Sequence, residues 1–372
     1  MKYMFWAAVA VILYTYFTYP AWLWIRARIR PWPVMRGAYP ASVSVALVVR
    51  NEQAVLPQKL TNLSEVRYPS PSHEIVVVSD GSTDDTNAII RDFAARGIVK
   101  PILNSDNRGK AASLNDAIQS CVGEIVVFTD VRQRIENDAI LRLVENFADP
   151  AVGCVSGELM LGEPRQGESG KGMGLYWRLE KQIRDLESAS GSVVGATGAL
   201  YAARRALLAP LPAGTILDDV LAPMRVARHG QRVLFEPRAR AWDTPDLGSD
   251  REFRRKVRTL SGNYQLLQFA PWLLTRENPI RFEFVSHKLL RLVIPFALLA
   301  LLFASFFLTG IFYRTALIAQ IVFYGLSLMA LLELKRGPLA RLVDAASTFV
   351  VLNTAALVAF ANFVRGRKLE WV

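Results

Sequence analysis

Four stretches of this chain carry no charge, and they restrict its fold more than any other feature. They are Tyr3 to Ile25, Leu292 to Tyr313, Thr315 to Leu332 and Ala345 to Val364, with 23, 22, 18 and 20 residues. About 20 helical residues cross a hydrocarbon layer of roughly 30 Å. A lipid-facing segment must also satisfy its own backbone hydrogen bonds, so each stretch is expected to be a helix. The first ends in the bulky YPAWLW and runs into Arg26, Arg28 and Arg30, unlike the short apolar core and small-residue cleavage site of a secretory leader. These arginines place the following chain in the cytoplasm and the amino terminus outside, with Trp22 and Trp24 at the interface. Lys288 and Arg291, and then Lys335, Arg336 and Arg341, favour the same side. Arg365, Arg367 and Lys368 do not, because three crossings after residue 286 would put them outside. Either that tail breaks the positive-inside bias or one segment is re-entrant. Four spans are expected, one in residues 1–30 and three in 286–372.

Between the apolar ends, two strands finish in a carboxylate. EIVVVSDGSTDDT (Glu74 to Thr86) and EIVVFTDVRQ (Glu124 to Gln133) each hold a β-branched apolar run that stops at Asp80 or Asp130. A helix from Asp85 to Ala95, a strand from Val99 to Leu103, the turn NSDNRGK and a helix from Ala111 to Ser120 separate them. This alternation predicts an α/β fold with a parallel sheet, whose ligands bind beyond the carboxyl ends of the strands. Asp80 and Ser82 are equally readable as turn residues, and Asp84 or Asp85 as a helix cap.

In order and spacing, several segments resemble glycosyltransferase family 2. They are VALVVRNE (Val45 to Glu52), VVVSDGSTDDT, NRGKAASLNDAI (Asn107 to Ile118), VVFTD (Val126 to Asp130), TGALYAARR (Thr197 to Arg205), LDDV (Leu217 to Val220) and RKVR (Arg255 to Arg258). The likeness is to the membrane-embedded branch containing cellulose, hyaluronan and poly-N-acetylglucosamine synthases. It implies a cytoplasmic GT-A type nucleotide-sugar domain at residues 40–250, Rossmann-like with a mostly parallel sheet, followed by amphipathic interface helices at 251–285. The implied reaction is inverting transfer of a hexose or N-acetylhexosamine from a nucleotide sugar, UDP-linked by expectation, to a growing or lipid-linked glycan. Asn51 and Glu52 would lie near the nucleotide, Asp80 would hold base or ribose, and Lys110 and Asp130 the nucleotide and its Mg²⁺ or Mn²⁺. Asp219 would be the general base, and Arg255 with Arg258 would receive the diphosphate.

The chain departs from the family pattern twice: Arg132 stands at the second position of Asp-x-Asp, and Thr259 replaces the tryptophan of the Q/R-x-x-R-W motif. These departures sustain the alternative of a catalytically inactive membrane homologue serving as scaffold or receptor. A dinucleotide oxidoreductase would need G-x-G-x-x-G after the first strand, and VALVVRNEQ has none.

The net charge of +11 is explained by basic residues flanking apolar spans, and no aromatic-interleaved basic motif points to nucleic acid. Cys121 and Cys154 stand alone, as packed thiols, and His73, His229 and His287 form no ligand pair. Further expectations are local. Asn51 caps the helix carrying Leu56 and Leu60, Asn115 reaches nucleotide or solvent, and Gly157 to Gly174 is a mobile loop. Glu180 and Glu187 are solvated or paired, and Gly195 and Gly198 admit a close approach by a strand or a sugar.

Overall fold

The computed structural model describes residues 1–70, 72–162, 175–244, 249–331 and 340–367. The chain opens with α1 (Lys2–Leu13) and α2 (Tyr19–Ile29), continuous through a π-helical turn at Tyr14–Thr18. The domain then runs β1 (Val43–Val49), α3 (Leu56–Glu65), β2 (His73–Asp80), α4 (Thr86–Ala95), β3 (Lys100–Asn104), α5 (Lys110–Ser120) and β4 (Ile125–Thr129). Next come β5 (Arg134–Ile135), α6 (Ala139–Val144), β6 (Val152–Leu161), α7 (Leu175–Ser190), β7 (Leu200–Arg204), α8 (Asp218–Arg228) and β8 (Arg232–Asp243). The remainder is helical: α9 (Ser249–Phe269), α10 (Arg281–Phe284), α11 (Leu290–Phe307), α12 (Ile311–Leu331) and α13 (Ala340–Val364).

The eight strands form one sheet in the order β3-β2-β1-β4-β7-β6-β8-β5. The four from β3 to β4 are parallel, as expected. The rest is mixed, yet six of the eight strands share one direction, in agreement with the mostly parallel expectation; β5 runs antiparallel to β8, and β7 to both β4 and β6. The reason is where the chain enters. Leu200 pairs with Thr129, so β7 starts beside the carboxyl end of β4 and runs back, leaving Gly198 at the ligand-binding edge. Both sheet faces are covered, which explains strands that are apolar without alternation. Val45, Leu47, Val49 and Val77 pack on one side with Leu56, Leu60 and Ile90. Ala46, Val48, Val76 and Val78 pack on the other with Leu114, Leu221 and Leu266.

Some local expectations are corrected. Asn51 does not cap α3; Val55 occupies the cap position, and Asn51 is a left-handed residue (φ 53°) whose Oδ1 accepts from the Thr83 N–H at 2.8 Å. The half-buried Asn115 amide exchanges hydrogen bonds with both backbone groups of Leu211. Residues Gly157 to Leu161 belong to β6, where a Cβ on Gly157 would lie 2.6 Å from the Ala239 carbonyl oxygen. The remainder of that expected loop, from 163 to 174, lies outside the described residues. Cys121 and Cys154 are buried free thiols.

Among the described residues, four helices are long and apolar enough to cross a membrane: Lys2–Ile29, Arg281–Phe307, Ile311–Ala330 and Leu342–Val364. The second ends earlier than the uncharged stretch suggested. Gly310, at φ +115°, breaks the helix, and residues from Ile311 to Tyr313 open α12 instead. Glu180 and Glu187 are the paired alternative. Glu187 accepts from the Tyr19 hydroxyl at 2.6 Å and meets His287 Nδ1 at 2.8 Å, while Glu180 meets His287 Nε2 at 2.9 Å and pairs with Arg291. Buried ion pairs of this kind are costly to break, so α7 is pinned to α2 and to the start of α11.

Candidate active site

The first acidic strand end is consumed by the fold. Asp80 is fully buried: Oδ1 accepts from the Arg108 N–H and the Ser113 hydroxyl, and Oδ2 from the Gly109 N–H, all at 2.9 Å. A carboxylate there satisfies orphan donors at the start of α5 and suits its dipole. Gly81 next to it has φ +63°, and a Cβ would come within 2.5 Å of the Asn107 nitrogen. Asp80 thereby builds the turn that delivers Lys110. Nearby, the loop holding Asn51 and Glu52 is zipped to the loop after β2: the Glu52 N–H donates to Thr86 Oγ1 at 2.9 Å and the Gln53 N–H to Asp84 Oδ2 at 3.2 Å. Burial raises Glu52 above the usual carboxylate range, and the Arg132 guanidinium opposes that rise.

The second strand end is open. The Asp130 side chain is 41% exposed, and the Lys110 ammonium stands 3.0 Å from its Oδ1 and 3.4 Å from Asp218 Oδ1. Burial works against the charge on Lys110, but Asp130, Asp218 and Asp219 outweigh it and raise the ammonium well above its ordinary range. Asp218 and Asp219 open α8, where helix-end N–H groups favour negative charge. The Gly198 N–H donates to Asp219 Oδ2 at 3.0 Å, and the Ala196 N–H to the Asp219 carbonyl at 2.7 Å. The groups that come close to Gly198 are these carboxylates rather than a neighbouring strand. A Cβ on Gly198 would lie 3.3 Å from Asp219 Oδ2 and 3.4 Å from Asp130 Oδ2. Gly195 approaches Val220 instead. Burial, and then the charge of Asp218, push Asp219 up to about 6. A carboxylate in that range is a competent proton acceptor near neutrality.

Arg255 projects from α9 with its guanidinium 3.8 Å from Asp243 at the end of β8, and Arg258 lies one turn later, half-buried. Among the described residues neither pairs with Asp130 or Asp219, so the structure brings Lys110, Asp130, Asp218 and Asp219 together without the two arginines. Lys59 escaped the sequence reading. It occupies the apolar stripe of α3 with Leu56, Leu60 and Leu63, and a lysine on such a stripe was the available signal.

No group of three or more carboxylate, thiol or imidazole ligands surrounds a common point among the described residues. The site still suits a hard divalent ion in one way. Asp130 offers a single exposed carboxylate, and such ions are commonly held by one or two carboxylates together with phosphate oxygens and waters.

An α/β domain with a mixed sheet, acidic groups at the carboxyl ends of β4 and the start of α8, and flanking apolar helices defines a GT-A type glycosyltransferase fold. Residues 44–209 match the model of glycosyl transferase family 2, and this segment is a glycosyltransferase family 2 domain. The poly-beta-1,6-N-acetyl-D-glucosamine synthase of Staphylococcus epidermidis is 25% identical over 246 residues, covering 63% of this chain and 58% of the relative. That of Staphylococcus aureus is 23% identical over 249 residues, covering 64% and 59%. The chain thus matches somewhat over half the length of these curated relatives. A mannosyltransferase from Pyrobaculum calidifontis, solved in complex with GDP-Man and Mn²⁺, shares the fold over 98% of this chain and 99% of its own, with a TM-score of 0.75 and 23% identity.

Proposed function

We propose that the protein is a membrane-bound inverting glycosyltransferase that moves a hexose or N-acetylhexosamine from a nucleotide diphosphate sugar, UDP-linked by family resemblance, to a growing polysaccharide or lipid-linked glycan. The observation that carries this reading is the convergence of Asp130 and Asp219 on the bare Cα of Gly198, with the Lys110 ammonium beside them. The names of the Staphylococcus relatives support an N-acetylhexosamine.

In this mechanism the acceptor hydroxyl meets Asp219 Oδ2, which takes its proton as the oxygen attacks the donor sugar carbon from the face opposite the diphosphate. Single-step inversion requires one base and no covalent nucleophile. The Gly198 N–H and Asp218 hold Asp219 in place and set its basicity. Lys110 and Asp130 face the diphosphate, Asn51 and Glu52 line the nucleotide side, and Asp80 acts by fixing the turn that carries Lys110. Asp130 would hold Mg²⁺ or Mn²⁺, which when bound supplies charge to neutralise the diphosphate. Arg255 and Arg258 would receive the departing diphosphate. The basic Arg26, Arg28 and Arg30 at the end of α2 support a cytoplasmic side for this domain.

Purified protein incubated with radiolabelled UDP-N-acetylglucosamine, UDP-glucose and GDP-mannose tests the proposal. Transfer or hydrolysis with one of them, lost in Asp219→Asn, is expected. Binding without turnover across the panel would favour the inactive scaffold.

A further inference from the structure

Lys59 is buried, and its ammonium donates to Thr129 Oγ1 at 2.8 Å and to the Gln133 carbonyl at 2.6 Å. Both partners are neutral, and the opposing charge of Asp130 acts on it without an ion pair among the described residues. A buried ammonium without a paired counter-ion is costly; burial pushes Lys59 down to about 7. What it touches gives the reason for keeping it. Thr129 and Gln133 bracket the turn that carries Asp130 and Arg132, and Thr129 Oγ1 donates in turn to the Ala199 carbonyl at 2.8 Å, next to Gly198. We infer that Lys59 is a positioning residue that staples this turn from behind, so that Asp130 projects toward a metal-bound nucleoside diphosphate. The inference rests on the donor-site role proposed for Asp130. Lys59→Met keeps the volume and removes the charge. Calorimetry with UDP and with GDP, each titrated in Mn²⁺, should show binding weakened about tenfold, as for residues that orient metal ligands. Thermal unfolding should stay unchanged or rise, because an apolar residue replaces a buried charge. Unchanged binding overturns the inference, as does a fall in unfolding temperature that accompanies the lost binding. If the wild type binds neither nucleotide, the donor-site reading fails, and the role of Lys59 fails with it.

A second and independent observation concerns α13. Tyr264 of α9 stacks on Phe363 at 5.1 Å and meets Phe360 at 6.0 Å, while Val257 packs with Ala355 and Ala359. Elsewhere α9 is bound to the segment before Asp218: Gln265 accepts from the Ile216 N–H at 2.9 Å and donates to the Gly214 carbonyl at 2.8 Å. Gly262 packs directly on Ile216 and Leu217. One helix thickness, about 10 Å, therefore separates the end of α13 from the catalytic domain, whereas the far membrane face is about 30 Å away. That far face is marked by Phe5, packed with Ala304, Leu308, Phe312 and Tyr313, so α12 begins there. A chain that starts α12 on the far face and ends α13 on the near one makes one net crossing. Lys335 and Arg336 between them, with Arg341 at the start of α13, favour α12 as the crossing helix. We propose that the chain crosses three times, and that α13 returns to the catalytic face, its carboxyl half bracing α9. This removes the charge conflict at Arg365, Arg367 and Lys368.

Single cysteines at Arg367→Cys, at Gln119→Cys on the exposed surface of α5 and at Thr309→Cys between α11 and α12 test the proposal with an impermeant maleimide, in intact cells and inverted vesicles. Native Cys121 and Cys154 are buried. Position 367 should label together with 119 and opposite to 309. Labelling of 367 together with 309 would show a full crossing and overturn the proposal.

Discussion

Asp80 and Asp130 close two strands of one parallel layer, yet the fold treats them oppositely. Asp80 is sealed, with three donors on its two oxygens, whereas Asp130 stands open with a lysine as its hydrogen-bond partner. The difference arises from the segment that covers each strand end. After β2 the chain turns sharply at Gly81 beneath the 106–110 turn, so backbone donors close over the carboxylate. After β4 the neighbour is the start of β7, where Gly198 has no side chain to cover the oxygens. Equal sequence signals thus yield a sealed carboxylate at one strand end and an open one at the other.

The largest effect is expected at the open end. Asp219→Asn should lower transfer by about 10² to 10⁴, the range for a general base, while UDP binding changes only a few-fold. Calorimetry beside a transfer assay measures both, and equal losses would reassign Asp219 to donor binding.

At the sealed end the loss should fall on stability. Asp80→Ala strands three donors that now meet a fully buried carboxylate and should cost about 3 kcal/mol in denaturant unfolding. Asp130→Ala removes only a partly exposed pair and should cost less than about 1 kcal/mol. Similar costs at both positions would erase the distinction between a sealed and an open strand end.

Metal separates the two ends further. Transfer should stop in EDTA and return with Mg²⁺ or Mn²⁺, and Asp130→Asn should raise the metal needed for half-maximal rate about tenfold. Full activity in EDTA, with donor binding lost in Arg132→Ala, would make Arg132 the resident cation instead.

Acidification gives a smaller effect. Burial and the neighbouring Asp218 favour the neutral form of Asp219, so it takes up its proton as pH falls through about 6. The rate should drop on that acid limb. The sign for stability is the reverse: a carboxyl whose folded value is raised stabilises the protein when protonated and loses that contribution as pH rises through about 6. A pH–rate profile that is flat from 5 to 8 would contradict the assignment of Asp219 as base.

The smallest expected contrast lies on α9. Arg258→Ala should reduce transfer several-fold more than Arg254→Ala, and vesicle flotation distinguishes this from simple loss of lipid contact.

The helices and strands of the nucleotide-binding half were legible because continuous β-branched runs and polar turns report local backbone preference and burial on both faces. The charge-free stretches likewise fixed four helices, since length and hydropathy alone decide whether a segment suits a bilayer. Pairing was not written there. The antiparallel entry of β7, the exchange between Asn115 and Leu211, and the return of α13 to α9 depend on contacts between residues far apart in the chain. The fate of each carboxylate was equally non-local. Sequence placed Asp80, Asp130 and Asp219 at strand and helix ends, where an anion is electrostatically welcome. Only the tertiary structure determined which oxygens backbone donors cover, which a glycine leaves bare, and which carboxyl burial and a neighbouring charge raise to about 6.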